Sequence, residues 1–177
     1  FFWAGAQTCL SATTACAVDG DGEAVEVLDR FVRAIGGTPL RVRSDRKALY
    51  HAGAVFASNY LGAAVEAALR LFEEAGVDRA AALGAILTLS EGTLANLRAV
   101  GLPAALTGPV ERGDAETVRR HAEAIRKFRP DLAGAYGTLG RLAVEVALAK
   151  GSIDAAASGR LRSALMDDDG TRGAAGR

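Results

Sequence analysis

The chain has 177 residues, half of them hydrophobic, and its 21 Lys and Arg residues balance its 21 Asp and Glu residues. This composition is typical of a globular, helix-rich protein with one sizeable core or two small units. Zero net charge argues against a strongly basic nucleic-acid-binding protein. One local basic cluster is most simply the solvated face of a helix. It comprises Arg119, Arg120, Arg126, Lys127 and Arg129.

The cysteines and the apolar segments favour a cytoplasmic protein. Cys9 and Cys16 lack the spacing of metal ligands, so we expect reduced thiols and no metal site. No apolar run reaches about 18 residues without a polar interruption, so no membrane span is expected. Residues 1–6 are apolar but have no basic lead, and we interpret them as part of a longer chain, not as a signal peptide.

Residues 1–44 predict a strand, a helix and a second strand. The apolar run 15–18 is followed by Asp21, which can cap an amphipathic helix over 23–35, and residues 39–43 alternate like a strand. This order predicts a βαβ unit of a parallel sheet. Because two short strands do not make a stable sheet alone, we expect residues 1–44 to be the trailing part of an α/β domain.

Residues 45–166 predict only helices, and residues 167–177 a flexible tail. The predicted fold is therefore mainly α, with a short βαβ segment before a helical domain. The expected helices are 45–75, capped by Ser44 or Asp45; 78–98, capped by Asp78; 114–128, capped by Asp114; 130–150, with Pro130 at its start and Gly151 at its end; and a last helix from Ser152 or Asp154 to Met166.

The first half of helix 45–75 carries the candidate catalytic residues. At about 100° per residue, a polar and small-residue stripe runs through Lys47, His51, Ser58 and Gly62, as expected for a helix lining a cavity. Lys47 and His51 can supply a cation and a titratable group to one substrate. The alternatives are a solvated lysine and a core histidine. Asn59 borders the stripe and is a candidate for substrate contact or for a structural bond between helices.

A second group of polar residues predicts substrate binding. Thr93 and Asn96 share a helix face beside Gly92 and suggest a polar wall. The loop before helix 114–128 can bind a carboxylate or phosphate through its amides and Arg112. A rigid turn in which Asp114 caps the helix and pairs with Arg112 is an equal alternative. His121 can be a site residue or a core residue. The loop residues concerned are Thr107, Gly108, Pro109, Arg112 and Asp114.

Two segments resemble one family. Residues 49–61, LYHAGAVFASNYL, look like the signature helix of the domain-of-unknown-function family 2520, and residues 105–114, ALTGPVERGD, with Thr117 and His121 look like its second signature. The resemblance covers about residues 15–165. The family normally follows a Rossmann-like domain in proteins similar to 6-phosphogluconate dehydrogenase and ketopantoate reductase. The sequence itself shows no G-x-G-x-x-G loop after a strand, no P-loop and no nucleophile elbow.

This resemblance implies a helical bundle of the 6-phosphogluconate dehydrogenase C-terminal type for substrate binding and homodimerisation, behind a domain that binds NADP or NAD. In that superfamily a Lys and an Asn on the long helix act at the substrate carbonyl. Lys47 stands at the comparable helix start, whereas His51 replaces the Asn of ketopantoate reductases. The implied activity is hydride transfer on a small oxo or hydroxy acid. The alternative is a non-catalytic dimerisation or ligand-sensing module. Nucleic acid and membrane are not expected as partners.

Overall fold

The computed structural model describes residues 14–166. The chain divides into two compact units, one up to Gly62 and one from Ala63. The predicted domain limits 1–44 and 45–166 stay a prediction, and the predicted tail 167–177 lies outside the described residues. The described part is mainly helical with a short parallel sheet at its start, as the sequence predicts.

The first unit begins with a parallel βαβ unit. Strand β1 (Ala15–Val18) pairs with β2 (Thr38–Arg41), with Ala15 opposite Thr38, and helix α1 (Gly22–Ala34) connects them. Asp21 caps α1 by accepting a hydrogen bond from the Ala24 amide at 2.9 Å. Val18 and Val32 are buried between sheet and helix. The predicted βαβ unit is therefore confirmed, and Cys16 within β1 is partly buried with a free thiol.

The predicted single helix 45–75 is wrong in one respect, because it is broken at Ser58. A short 3₁₀ turn (Ser44–Arg46) leads into α2 (Lys47–Ala57), and α3 (Asn59–Glu74) follows. The Ser58 hydroxyl oxygen lies 2.7 Å from the Ala54 carbonyl oxygen. Such a bond back to the preceding turn competes with the helical backbone and bends it. Ser58 has φ −125° and ψ −72°, outside the helical range.

The second unit contains the remaining helices. Their bounds are α4 (Arg79–Val100), α5 (Ala115–Phe128), α6 (Ala133–Lys150) and α7 (Ala155–Leu165). The predicted caps Asp78, Asp114 and Asp154 each accept backbone amide hydrogen bonds. The predicted start at Pro130 is a separate 3₁₀ turn, Pro130–Leu132, directly before α6.

Helices α5, α6 and α7 share the larger apolar core of this unit. Val118, Val144 and Leu161 are fully buried, one from each helix. Helix α6 presents Gly140 to Leu165 so closely that a Cβ at position 140 would lie 2.5 Å from a Leu165 methyl carbon. A smaller cluster joins Leu69 of α3 to Ile86 of α4. The rest of α4 is largely exposed.

Candidate functional site

Lys47 lies at the carboxyl edge of the two-stranded sheet. It is the first residue of α2, and its ammonium forms an ion pair with Asp19, which directly follows β1. The other carboxylate oxygen of Asp19 accepts a hydrogen bond from the Ser44 hydroxyl at 2.6 Å. These contacts, with that to Lys47 the strongest, hold the pKa of Asp19 below its usual value. Asp19 is therefore ionised at neutral pH and fixes the position of the Lys47 side chain.

An open cavity of about 310 Å³ lies at this same edge of the sheet. Its walls include Asp19 and Ser44 together with the glycines at the start of α1 and two arginines at the end of β2 and just after it, Arg41 and Arg43. Arg41 is held by Asp29 and Arg43 by Asp45, so neither guanidinium stands alone. In α/β proteins the space beyond the carboxyl ends of parallel strands is where ligands bind.

The other residues predicted on the first helix flank its break. His51 lies on an exposed turn of α2, and the Asn59 side-chain oxygen lies 2.9 Å from the Ser58 hydroxyl oxygen. The predicted polar stripe assumes a continuous helix, and the break at Ser58 divides it between α2 and α3. A shared substrate contact remains a prediction for Lys47, His51, Ser58 and Asn59.

The residues predicted on α4 are exposed to solvent. The Thr93 hydroxyl donates to the Leu89 carbonyl at 3.0 Å, so its hydrogen is used within the helix. Asn96 lies one turn further along and is also exposed. Their predicted role as a polar wall stays a prediction.

The predicted anion-binding loop is a compact turn held by Lys150. The Lys150 ammonium donates to the Leu106 carbonyl at 2.9 Å and to the Glu111 carboxylate at 2.8 Å, and this pair is partly buried. Within the turn, the Asp114 amide donates to the Pro109 carbonyl at 2.9 Å. Gly108 has φ +97°, a conformation that residues with a Cβ rarely adopt. The chain therefore holds the predicted Thr107–Pro109 segment in one shape.

Asp114 has the capping role that the sequence allowed. It accepts a hydrogen bond from the Thr117 amide at 3.0 Å, and the amide and hydroxyl of Thr117, with a smaller contribution from Arg112, lower the pKa of Asp114. The N-cap part of the rigid-turn interpretation is confirmed, and the pairing of Arg112 with Asp114 stays a prediction. Anion binding by Arg112 and the loop amides stays a prediction.

His121 is exposed on α5, and its Nδ1 lies 3.1 Å from the Tyr136 hydroxyl oxygen on α6. It is therefore not a core histidine. Burial raises the pKa of Tyr136, which keeps its hydroxyl protonated at neutral pH. The pair joins two helices of the bundle at their surface, and a role for His121 in substrate binding stays a prediction.

Four residues that hold the candidate site in shape were not predicted as site residues: Asp19, Ser44, Lys150 and Tyr136. For Asp19 a signal exists, because an acidic residue directly after a strand of a βαβ unit lies at a ligand-binding edge. Lys150 and its partner Glu111 are 39 residues apart, and no local pattern connects them.

The predicted basic cluster is accompanied by acidic partners. Arg119 pairs with Glu116 and Glu123, and Arg129 pairs with Asp131. These pairs support the interpretation as a solvated helix face. Among residues 14–166, no group of three or more His, Cys, Asp or Glu side chains is arranged to hold a metal ion.

One helix passes a simple test for a membrane span. Helix α4 has 22 residues. Its most apolar 18-residue window has a mean hydropathy of 1.2, and 11 % of that window is buried. Length and composition alone are weak grounds for a span, because core helices of other proteins pass the same test. The expectation of no membrane span and of a cytoplasmic location stays a prediction.

Comparison with known proteins identifies a family and a structural relative. Residues 14–143 match the model of the family described as domain of unknown function (DUF2520). The crystal structure of protein TM1727 from Thermotoga maritima is similar with a TM-score of 0.70 and 28 % sequence identity. The match covers 77 % of this chain and 54 % of that protein, so the chain spans about half the length of its relative. No curated protein matches the chain. Because the family match spans more than half of the sequence, the chain belongs to the DUF2520 family.

Proposed function

We propose that the chain is the substrate-binding part of an NAD(P)-dependent oxidoreductase that acts on a small oxo or hydroxy acid. The observation that carries this proposal is the placement of Lys47, a hydrogen-bond donor at the carboxyl edge of a parallel βαβ unit, whose ion-pair partner Asp19 lines an open cavity. Residues 14–166 contain no glycine-rich dinucleotide loop. NADP or NAD would therefore bind to a Rossmann-like domain of the kind that the family resemblance implies, and it would supply the hydride.

The residues of this chain would bind the substrate and deliver a proton. Lys47 or His51 donates a proton to the substrate carbonyl oxygen, and Ser58 and Asn59 orient the substrate. In the second unit, Arg112 and the Thr107–Pro109 turn would bind a carboxylate or phosphate group, because backbone amides and a guanidinium donate hydrogen bonds to such anions. The shape that Lys150 imposes on the turn supports this role.

Turnover by the full-length protein tests the catalytic assignment. NADH and NADPH oxidation is measured with a panel of small keto acids, and Lys47→Ala and His51→Ala are compared with wild type. Removal of one positioned general acid is expected to lower kcat by about 10²–10⁴-fold. Arg120→Ala, which removes an exposed arginine of α5, is the control and should leave turnover unchanged. Unchanged turnover in both Lys47→Ala and His51→Ala would exclude the assignment.

We further propose that the chain forms a homodimer through α4. This helix also carries polar residues such as Thr93 and Asn96, but its Leu83, Leu87 and Leu89 are 40–66 % exposed. Exposed apolar side chains grouped on one helix favour a partner surface over free solvent. A dimer would serve either the oxidoreductase or the alternative non-catalytic dimerisation or ligand-sensing module.

Sedimentation analysis of Leu89→Glu tests the dimer. Placing a carboxylate in an apolar interface should shift the protein to monomer, whereas Leu139→Glu, the same substitution at an exposed leucine of α6, should leave the dimer intact. Membrane binding is the other explanation for exposed apolar residues on α4, and liposome flotation tests it. A wild-type protein that is monomeric and binds lipid would contradict the proposal.

A further inference from the structure

The carboxylate of Asp19 divides its two oxygens between two partners. One oxygen accepts a hydrogen bond from the Ser44 hydroxyl at 2.6 Å, and the other forms an ion pair with the Lys47 ammonium. The three residues come from different elements: Asp19 from the end of β1, Ser44 from the 3₁₀ turn and Lys47 from the start of α2. Each oxygen therefore has a fixed direction, and the carboxylate cannot rotate without losing one partner.

Exposure differs between the two ends of the ion pair. The Asp19 side chain is 20 % exposed, whereas that of Lys47 is 63 % exposed. A lysine ammonium carries three N–H donors, and one of them is used by Asp19. The remaining donors stay open to solvent while the nitrogen atom is held in place at the edge of the sheet.

We propose that Asp19, oriented by Ser44, is the positioning residue that holds Lys47 for an oxygen atom of the substrate. This inference rests on the proposed function. Lysine is a flexible side chain with many rotamers, and holding it before substrate arrives removes part of the cost of ordering it. Asp19 itself does not contact the substrate carbonyl; it acts through the ammonium of Lys47.

The ion pair can be tested without any substrate. The chain has three lysines, Lys47, Lys127 and Lys150, so limited acetylation followed by peptide mass spectrometry reports each one separately. Lys127 lies over the Phe128 ring at the surface and is the internal standard. An ammonium held by a carboxylate reacts more slowly, and for a largely exposed pair we expect Asp19→Asn to raise the Lys47 to Lys127 ratio about two- to fivefold.

Two variants make the labelling result specific. Ser44→Ala removes the orienting hydroxyl but keeps the ion pair, so a smaller rise is expected, and this variant remains informative if Asp19→Asn does not fold. Asp29→Asn breaks the comparable Arg41–Asp29 pair of the same βαβ unit and should leave the ratio unchanged. An unchanged ratio in both Asp19→Asn and Ser44→Ala would overturn the proposal.

Turnover then separates positioning from structure. In the full-length protein, Asp19→Asn is expected to lower kcat more than it changes KM, while Glu145→Gln, which breaks an exposed ion pair with Arg162 away from the cavity, retains both. A raised labelling ratio with unaltered kcat would contradict the positioning role. A raised ratio in a protein that oxidises neither NADH nor NADPH would leave the ion pair established and would reject the proposed function instead.

Discussion

Two parts of the second unit, the α5–α7 bundle and helix α4, use similar apolar residues in opposite ways. In the bundle, Val118, Val144 and Leu161 are completely buried against one another. On α4 only Ala82 and Ile86 are buried, and Leu89 is 66 % exposed. The bundle therefore buries its own apolar side chains, whereas most apolar side chains of α4 are left uncovered by the described residues. Apolar composition indicates that a helix will be buried but does not indicate what buries it.

The largest effect is expected for truncation in the bundle. Leu161→Ala should lower the free energy of unfolding by about 2–5 kcal/mol, because it removes buried methyl groups and leaves a cavity. Leu89→Ala is the matched control on α4 and should change that free energy by less than about 0.5 kcal/mol in the monomer. Urea denaturation at low protein concentration measures both. Equal losses would show that α4 is packed within its own chain.

An intermediate effect is expected for added volume in the bundle. Gly140→Ala places a Cβ 2.5 Å from a methyl carbon of buried Leu165. We expect a loss of about 1–3 kcal/mol, as for other overpacked cores. Gly134→Ala on the same helix meets no atom within 4 Å. It should stabilise the protein by up to about 1 kcal/mol through helix propensity. Thermal unfolding of the pair gives the sign of each change, and equal shifts would contradict the close approach of α7.

The smallest effect concerns the start of the bundle, where Asp114 caps α5. Its folded pKa is lowered, so its ionised form contributes stability that is present above the unfolded pKa near 3.8 and is lost as the pH falls through the folded pKa. Asp114→Asn keeps a capping oxygen without the charge. The stability of wild type relative to this variant should therefore decrease as the pH falls below about 5 and through the lowered folded pKa, measured by urea denaturation. A difference that is constant with pH would contradict the lowered pKa.

The sequence predicted the parts of the fold that depend on neighbouring residues. Asp21, Asp78, Asp114 and Asp154 cap the expected helices, since an N-cap bond spans only two or three residues. The break at Ser58 was not predicted, although its cause is also local. A serine inside a helix can bond back to the preceding turn without interrupting the helix. The presence of Ser58 in the sequence therefore does not decide whether the helix is broken.

The candidate site depends more on contacts between distant residues. Lys47 was identified from its helix position, but its partner Asp19 lies 28 residues earlier and was not. Likewise, Lys150 fixes a turn that begins 44 residues before it. Such contacts follow from the packing of elements and not from their periodicity. The sequence could therefore identify the helix and the turn as candidate site elements. The structure was needed to show which charged residues hold them in place.

The close seating of Leu165 on Gly140 restricts how the sequence can change over time. A methyl group at position 140 requires a smaller side chain at position 165, so the two sites should vary together. In homologous sequences we therefore expect a larger residue at position 140 to occur together with a smaller residue at position 165.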